Sequence, residues 1–456
     1  MPFNIRIASS PRLSLTCIVA LLLMLFTPAI FGQTVNTVVN FNGTNGASPF
    51  MVTLAQGRDG NLYGTTYSGG ANNLGAVVRI NLSTGNSIVL HSFAGTDGSY
   101  PGAGLTLGTD GNFYGTTVTG GSSDEGVLYK ISAAGTFTVL HQFLGGSDGN
   151  FPYAPPIEAN DGNLYGTTSG ANVIAPTIYK YTRSGAYSVV YTFSELTSGY
   201  DVYGLTQGTD GLLYATADTG GADGCGTIVR VTTTGVLKAT HVFNCTNGGN
   251  EPVAAPFEAS DGNYYGTTLV GGTSEDGVLY KLTPEFGLSI GYDFGGDAVK
   301  PQGLLIQGTD GALYGTAQGA LFSWSLGGTY SQLYTFTENP YLSGGLMQHT
   351  NGLFYGAAEL AGTHSDGFVF SLNMGLGSFI TFVDSQGAVG STAEILGQGF
   401  TGTTSVTFNG IAATSFTVVN DTYLTAVVPA GATTGPVVVS TPSGNRPGNK
   451  DFRVSP

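Results

Sequence analysis

Few side chains in this sequence of 456 residues can do acid–base, nucleophilic or metal chemistry: it holds 5 His, 3 Cys, 29 Asp and Glu, and 14 Lys and Arg. Histidine would serve general acid–base catalysis near neutral pH. His91, His141 and His241, however, occupy one place in a recurring unit, where other copies carry Tyr191, Tyr292 and Tyr334. A residue that recurs with the unit serves the unit's packing. His349 and His364 stand outside that register; His364, in the Gly362–Gly367 loop, is the more available, and the sequence identifies no nucleophile partner for it. No Gly-x-x-x-x-Gly-Lys phosphate loop or His-Glu-x-x-His occurs, and no catalytic residue is assigned.

Acids and aromatic rings are the better lead. Asp97, Asp124, Glu125, Asp148, Asp223, Glu251, Glu275, Asp276 and Asp366, with Tyr100, Phe151, Tyr153 and His364, fall in the long loops of the repeat. Carboxylates among aromatic faces suit a sugar, a cation or a basic peptide, and loops on a rigid scaffold are where binding residues collect. The Asp of each Asp-Gly pair would need further acids at alternate positions to ligate calcium. Gly and Asn follow instead, so these pairs read as turns; no metal site is assigned and calcium is the only cofactor left open. Arg79, Lys130, Lys180, Arg230 and Lys281 form a phased set on one strand, read as a repeated pairing or a solvated face rather than an anion site. Cys225 and Cys245 are equidistant from Gly235 in a strand–turn–strand run, which sets them across a hairpin and predicts a disulfide in an oxidising compartment.

The elements that position these residues are one unit written seven times. Asp-Gly recurs at residues 59, 110, 161, 210, 261 and 310, with Asn-Gly at 351; the spacings are 51, 51, 49, 51, 49 and 41. One copy shows the pattern. A short strand at 105–108 turns through Thr109-Asp110-Gly111-Asn112, where Asp-Gly accepts the positive φ of a tight hairpin. Strands follow at 113–117, 127–132 and 136–143. Four antiparallel strands per ~50 residues describe a propeller blade. The seventh copy lacks its fourth strand, while an orphan strand at 35–41 precedes the first turn. Phe41 lies 18 residues before Asp59, as Phe93, Phe143, Phe193 and Phe243 lie 17 or 18 before theirs, so the orphan is expected to complete blade seven and close the ring.

The recurring Gly-Thr-Asp-Gly-Asn-x-Tyr-Gly-Thr-Thr…Gly-Gly…Leu-Tyr-Lys-Ile…Val-Leu-His-x-Phe resembles the GloVer tandem repeat of secreted bacterial proteins over about residues 35–373. Copy six departs from it, because Ala317–Ala320 replaces the long Gly-Gly loop. That resemblance implies export and a choice of C-terminal anchors, without implying an activity; the anchor types of the family do not match this C-terminus. The hairpin alone is also similar to that of the seven-bladed streptogramin lyases, and none of that family's catalytic residues can be carried to a position here. From about Ser378 another all-β pattern begins. Gly397-Gln398-Gly399-Phe400, Val406–Gly410, Val428–Gly431 and Gly435–Val439 resemble an IPT/TIG module, an immunoglobulin-like sandwich that serves as spacer, interface or partner-binding unit.

Arg6 and Arg12 precede an apolar stretch at 13–31, which reads as a secretory signal over residues 1–32, and nothing later is long enough to span a bilayer. A net charge of -15 disfavours nucleic acid, and 41% apolar residues exclude disorder. The expectation is an all-β exported protein: a seven-bladed propeller over residues 33–375, then an IPT/TIG-like sandwich over 378–456. It would be non-catalytic, secreted or cell-surface, and would bind a glycan or a cell-surface protein through its acidic and aromatic long-loop face. The alternatives are a hydrolase or lyase with its site at the channel mouth, and a structural envelope or matrix component.

Overall fold

The computed structural model describes residues 33–455 except 171–173, 196, 246–247 and 297. The expected signal segment, residues 1–32 with Cys17, lies outside the described residues. Each Asp-Gly copy is a four-stranded antiparallel sheet. Sheet one is Ala55–Gln56, Leu62–Thr66, Ala76–Asn81 and Asn86–Ser92; sheets two to six follow over 106–142, 157–192, 200–242, 257–293 and 306–335. Sheet seven is Met347–Gln348, Phe354–Ala358 and Phe368–Asn373, and its fourth strand is Thr34–Asn40, with Val35 opposite Leu372 and Asn40 opposite Phe368.

One local device repeats in the six Asp-Gly sheets, and in sheet seven Asn351 takes its place, accepting Leu353 N–H and donating to Tyr355 Oη. The Asp of the hairpin accepts the N–H two residues on and the hydroxyl of the Tyr four residues on: Tyr63 to Asp59 at 2.8 Å, Tyr114 to Asp110 at 2.8 Å, Tyr214 to Asp210 at 2.9 Å. Gly60 then takes φ 73°, which costs a side-chain-bearing residue and costs glycine little. A buried tyrosine ring therefore keeps a partner for its hydroxyl, and the turn carboxylate is engaged by its own hairpin.

The first strands lie innermost. They approach their neighbours so closely that a Cβ on Gly104 would collide with the carbonyl of Thr53, and one on Gly344 with the carbonyl of Val52. Sheet seven meets sheet one there: Met51 N–H donates to Ser343 Oγ at 2.8 Å and Gly345 N–H to Thr53 Oγ1 at 3.2 Å. Second strands are mostly buried; fourth strands are the partly exposed outer ones. On that outer edge His91 stacks on Phe137 at 3.8 Å, His141 on Tyr187 at 3.6 Å and Tyr292 on Tyr330 at 3.9 Å, so the recurring His/Tyr position joins adjacent sheets.

The C-terminal unit packs the sheet of Thr381–Phe382, Thr392–Leu396, Tyr423–Val427 and Phe416–Asn420 against that of Ile411–Ala412, Ser405–Phe408, Val437–Thr441 and Gly444–Pro447. Alternate residues Ile395, Val406, Phe408, Leu424, Val437 and Val439 fill its core with Phe400 and Phe452.

Candidate functional site

The two ends of the ring differ. One carries the tight Asp-Gly hairpins; the other carries the loops from second to third strands, such as 67–75, 118–126 and 359–367, and the connectors, such as 93–105 and 243–256. On this second end each connector makes the same turn as it enters the innermost strand. Ser48, Tyr100, Phe151, Asp201, Glu251, Lys300 and Asn339 all have φ between 46° and 58°. Their backbones are stitched alike: Tyr100 N–H donates to Leu74 O at 2.8 Å while its carbonyl accepts Val118 N–H at 3.0 Å, and Phe151 and Glu251 repeat this with Glu125 and Ser169, and with Cys225 and Leu269. Glycine would hold such a turn without strain, whereas a side chain costs about 1 kcal/mol. The chain places a side chain there in all seven units, and the side chains do not repeat.

A second non-repeating set lies at or just past the ends of the second strands: Tyr67, Val118, Ser169, Asp218, Leu269, Gln318 and Glu359. The two sets meet at the channel mouth. Tyr67 stacks on Tyr100 at 5.0 Å and meets Phe50 edge-on at 5.6 Å. Tyr153 meets Tyr203 edge-on at 5.4 Å, and Gln302 bonds Tyr341 at 2.7 Å. The fields of Asp201, Asp218 and Glu251 all reach Tyr203, and that of Glu359 reaches Tyr67.

Sheet four supplies the acidic centre. Its first strand, Tyr200–Gln207, is eight residues long, whereas those of sheets one and two have two residues each. The register sets Tyr200 against Thr219 and Val202 against Ala217, so Asp201 stands opposite Asp218. Like charges directly across a strand pair repel. Burial, then the charges of Asp201 and Glu251, push the Asp218 carboxyl up to about 8. Burial also raises Asp201 and Glu359. Asp218 Oδ1 is buried without a hydrogen-bond partner. The Cys225–Cys245 disulfide, Cα atoms 5.4 Å apart, ties the adjoining loop of sheet four to the next connector, and Cys225 O accepts Glu251 N–H. Such a mouth can take a ligand on flat aromatic faces and hold a donor or positive group against carboxylates.

The residues singled out in the sequence divide. Tyr100, Phe151, Tyr153 and Glu251 belong to this mouth. Asp97 and Asp148 sit on the outer edge, where their carboxylates bond His91 and His141 at 3.0 Å and cap the N–H groups of Ala94 and Leu144. Asp124 and Glu275 have φ 59° and frame their loops; Asp124 accepts Gly120 N–H at 2.8 Å. Glu125, Asp276 and Asp366 give their carbonyls to Phe151, Lys300 and Ser48. Asp223 and His364 are exposed, and His364 bonds Thr363. Of the phased cations, Lys180 pairs with Asp161 at 3.0 Å and Lys281 with Asp261 at 3.7 Å. His349 is buried on the opposite end against Gly60 O, and burial lowers it to about 4. Among the described residues no group of three or more His, Cys, Asp and Glu is arranged to hold a metal ion. The acidic centre at Asp201 and Asp218, with Tyr67, Tyr203 and Glu359, was missed by sequence reasoning, although the column after each Tyr-Gly-Thr-Thr or its relative visibly fails to repeat.

The model of the Gloeobacter/Verrucomicrobia repeat matches residues 24–208 and 201–419. Solved structures give the fold: a streptogramin B lyase (17% identity, TM-score 0.55, 76% of this chain and 99% of that one) and a catalytically inactive virginiamycin B lyase from Staphylococcus aureus with quinupristin (15%, 0.56, 75% and 99%). The extracellular domain assigned to a hybrid two-component system from B. thetaiotaomicron is similar at 10% identity and TM-score 0.51, covering 93% of this chain and 58% of that one. These likenesses describe a β-propeller built from repeats. No curated protein matches.

Proposed function

The chain belongs to the Gloeobacter/Verrucomicrobia repeat family, and on that footing we propose that it is an exported, seven-bladed propeller with an immunoglobulin-like C-terminal domain of the IPT/TIG kind, which binds a glycan or a cell-surface protein at its channel mouth. The observation that carries this reading is the convergence of non-repeating aromatic and acidic side chains on a repeated, conformationally costly backbone. Secretion is supported by the disulfide, which suits an oxidising compartment, and by an apolar leader in the sequence. No helix among the described residues is long and apolar enough to cross a membrane.

The test is a glycan array and a cell-surface pull-down with the mature protein, repeated with Tyr203→Ala and Asp201→Asn. A ligand whose capture both variants weaken by tenfold or more is expected. Capture that neither variant alters places binding elsewhere and ends this reading.

One observation favours a second reading. A carboxyl whose proton affinity is raised toward neutral pH is what an acid–base enzyme can use, and Asp218, opposite Asp201, meets that description. A hydrolase or lyase would turn over its ligand; a bound ligand recovered unchanged after long incubation decides for binding alone. A purely structural envelope role is favoured if the protein is recovered only from insoluble surface fractions.

A further inference from the structure

The hairpin end of the ring contains a repeated lock. The N–H of the residue before each Asp-Gly donates to a Gln or Glu at the end of the next sheet's first strand. Thr109 donates to Glu158 at 2.8 Å, Asn160 to Gln207 at 2.8 Å and Thr209 to Glu258 at 2.7 Å. Ser260 donates to Gln307 at 2.9 Å, Thr309 to Gln348 at 3.0 Å and Thr350 to Gln56 at 3.0 Å. The seam between sheets one and two breaks the rule. Leu107 occupies the acceptor's place and cannot accept, and Arg58 stands where the other copies have Thr, Asn or Ser.

At that seam the C-terminal unit is seated. The Arg58 guanidinium bonds Thr109 O at 2.9 Å across the seam, pairs with Glu394 Oε2 at 2.5 Å and lies 4.9 Å over the Tyr423 ring. The carbonyl of Arg58 accepts Thr422 Oγ1 at 2.9 Å and Asn420 Nδ2 at 3.2 Å. The neighbouring Gly60 leaves room for this approach, since a Cβ there would lie 2.7 Å from Thr422 Cγ2. Three other sheets are touched as well: Gln398 donates to Thr350 Oγ1 at 2.9 Å, Arg453 to Thr209 O at 2.8 Å and Gln386 to Asn160 O at 3.4 Å. Between the last two contacts a crevice of about 420 Å³ stays open.

We propose that the hairpin end of the propeller is a docking surface for the chain's own C-terminal unit, which latches the one seam that lacks the repeated lock. The unit is then a fixed cap on the hairpin end rather than a free spacer, and the channel mouth is the end left for a ligand. The partner chemistry is specific: a carboxylate and an aromatic face from the cap clamp an arginine that replaces the repeat's hydroxyl or amide residue. Nothing here depends on what the mouth binds.

The experiment uses the full mature chain and its variants Arg58→Thr, Glu394→Gln and the double variant Arg58→Thr/Leu107→Gln. Two readouts are followed: chymotrypsin cleavage of the connection at residues 373–379, and amide exchange at 57–61 and 106–109. Either single variant is expected to speed cleavage by tenfold or more and to raise exchange at the seam. The double variant, which writes the usual lock back into the ring, is expected to restore slow seam exchange while cleavage stays fast. Glu394→Gln alters only the cap, so it reports undocking even if Arg58→Thr folds poorly. Cleavage and seam exchange unchanged in Glu394→Gln, or a double variant that exchanges as fast as Arg58→Thr, would overturn the latch.

Discussion

Asp218 offers a stability experiment whose sign is fixed by the structure. Its carboxyl is pushed from the ordinary 3.8 to about 8, first by burial and then by the charges of Asp201 and Glu251. In the unfolded chain the same group ionises near its ordinary value. The unfolded state therefore gives up its proton first as pH rises, and stability falls between about pH 4 and pH 8 and is level above. Roughly four decades of proton affinity at about 1.4 kcal/mol each set an upper bound of about 6 kcal/mol. Asp218 stays partly exposed, and screening there brings the expected loss to about 1–3 kcal/mol. Asp218→Asn removes the ionisation while keeping the shape. In a chain of this size that corresponds to a Tm gain of about 1–3 °C at pH 8.5, shrinking toward zero at pH 4.5. Differential scanning calorimetry of both proteins across that range measures the gap directly. A variant that is equally or less stable at every pH would refute the argument, because it would mean that burial beside Asp201 and Glu251 does not burden the Asp218 charge.

Other substitutions test the frame around the site. Asp110→Ala removes the acceptor for Tyr114 Oη and for Asn112 N–H; unfolding in urea is expected to show a loss of about 1–2 kcal/mol. Gly104→Ala drives a methyl into the Thr53 carbonyl, and a drop of about 2 kcal/mol or more, or loss of soluble protein, is expected in the same assay. Cys225→Ser/Cys245→Ser opens a link across a sequence separation of 20; chain entropy gives about 3 kcal/mol, and faster exchange at Glu251 N–H is expected, since Cys225 O is its acceptor.

Much of the frame is legible in the sequence because each repeated letter does a repeated job. Asp59, Asp110 and Asp210 recur because a hairpin needs the turn and a buried tyrosine needs an acceptor. His91 and His141 recur because an outer strand stacks on the next. The candidate site is not legible in the same way. Reading for carboxylates in long loops finds Asp97 and Asp148, whose charge is turned toward a histidine of their own sheet, and Asp124, whose oxygen holds a loop amide. Which connector side chains face the channel depends on a positive φ at Tyr100, Asp201 and Glu251, a property that no residue type declares. The opposition of Asp201 and Asp218 depends on an inner strand six residues longer than those of sheets one and two, which neither composition nor spacing announces.

Both the mouth and the latch lie where the repeat is broken while its backbone is kept. In a ring of copies, a column that repeats is accounted for by the fold, so a column that does not repeat is free to serve something else. Leu107 and Arg58 depart together, at one seam, and the residues that answer them come from outside the ring in Glu394 and Tyr423. Tyr67, Asp218 and Glu359 depart at another column, and among the described residues none from outside the ring answers them. If departures merely drifted, they would be spread evenly over both ends and be filled by residues that need no partner. Instead one set is satisfied within the chain, and the other leaves a buried carboxylate oxygen of Asp218 without a partner. Restoring the repeat therefore has opposite consequences at the two ends. Leu107→Gln supplies a lock and should make the ring less dependent on its cap. Asp218→Leu, copying Leu269 of the next unit, should stabilise the ring at pH 8.5 and abolish capture of whatever the mouth holds. A variant that gains stability yet keeps full capture would show that the mouth is only a scar of the repeat.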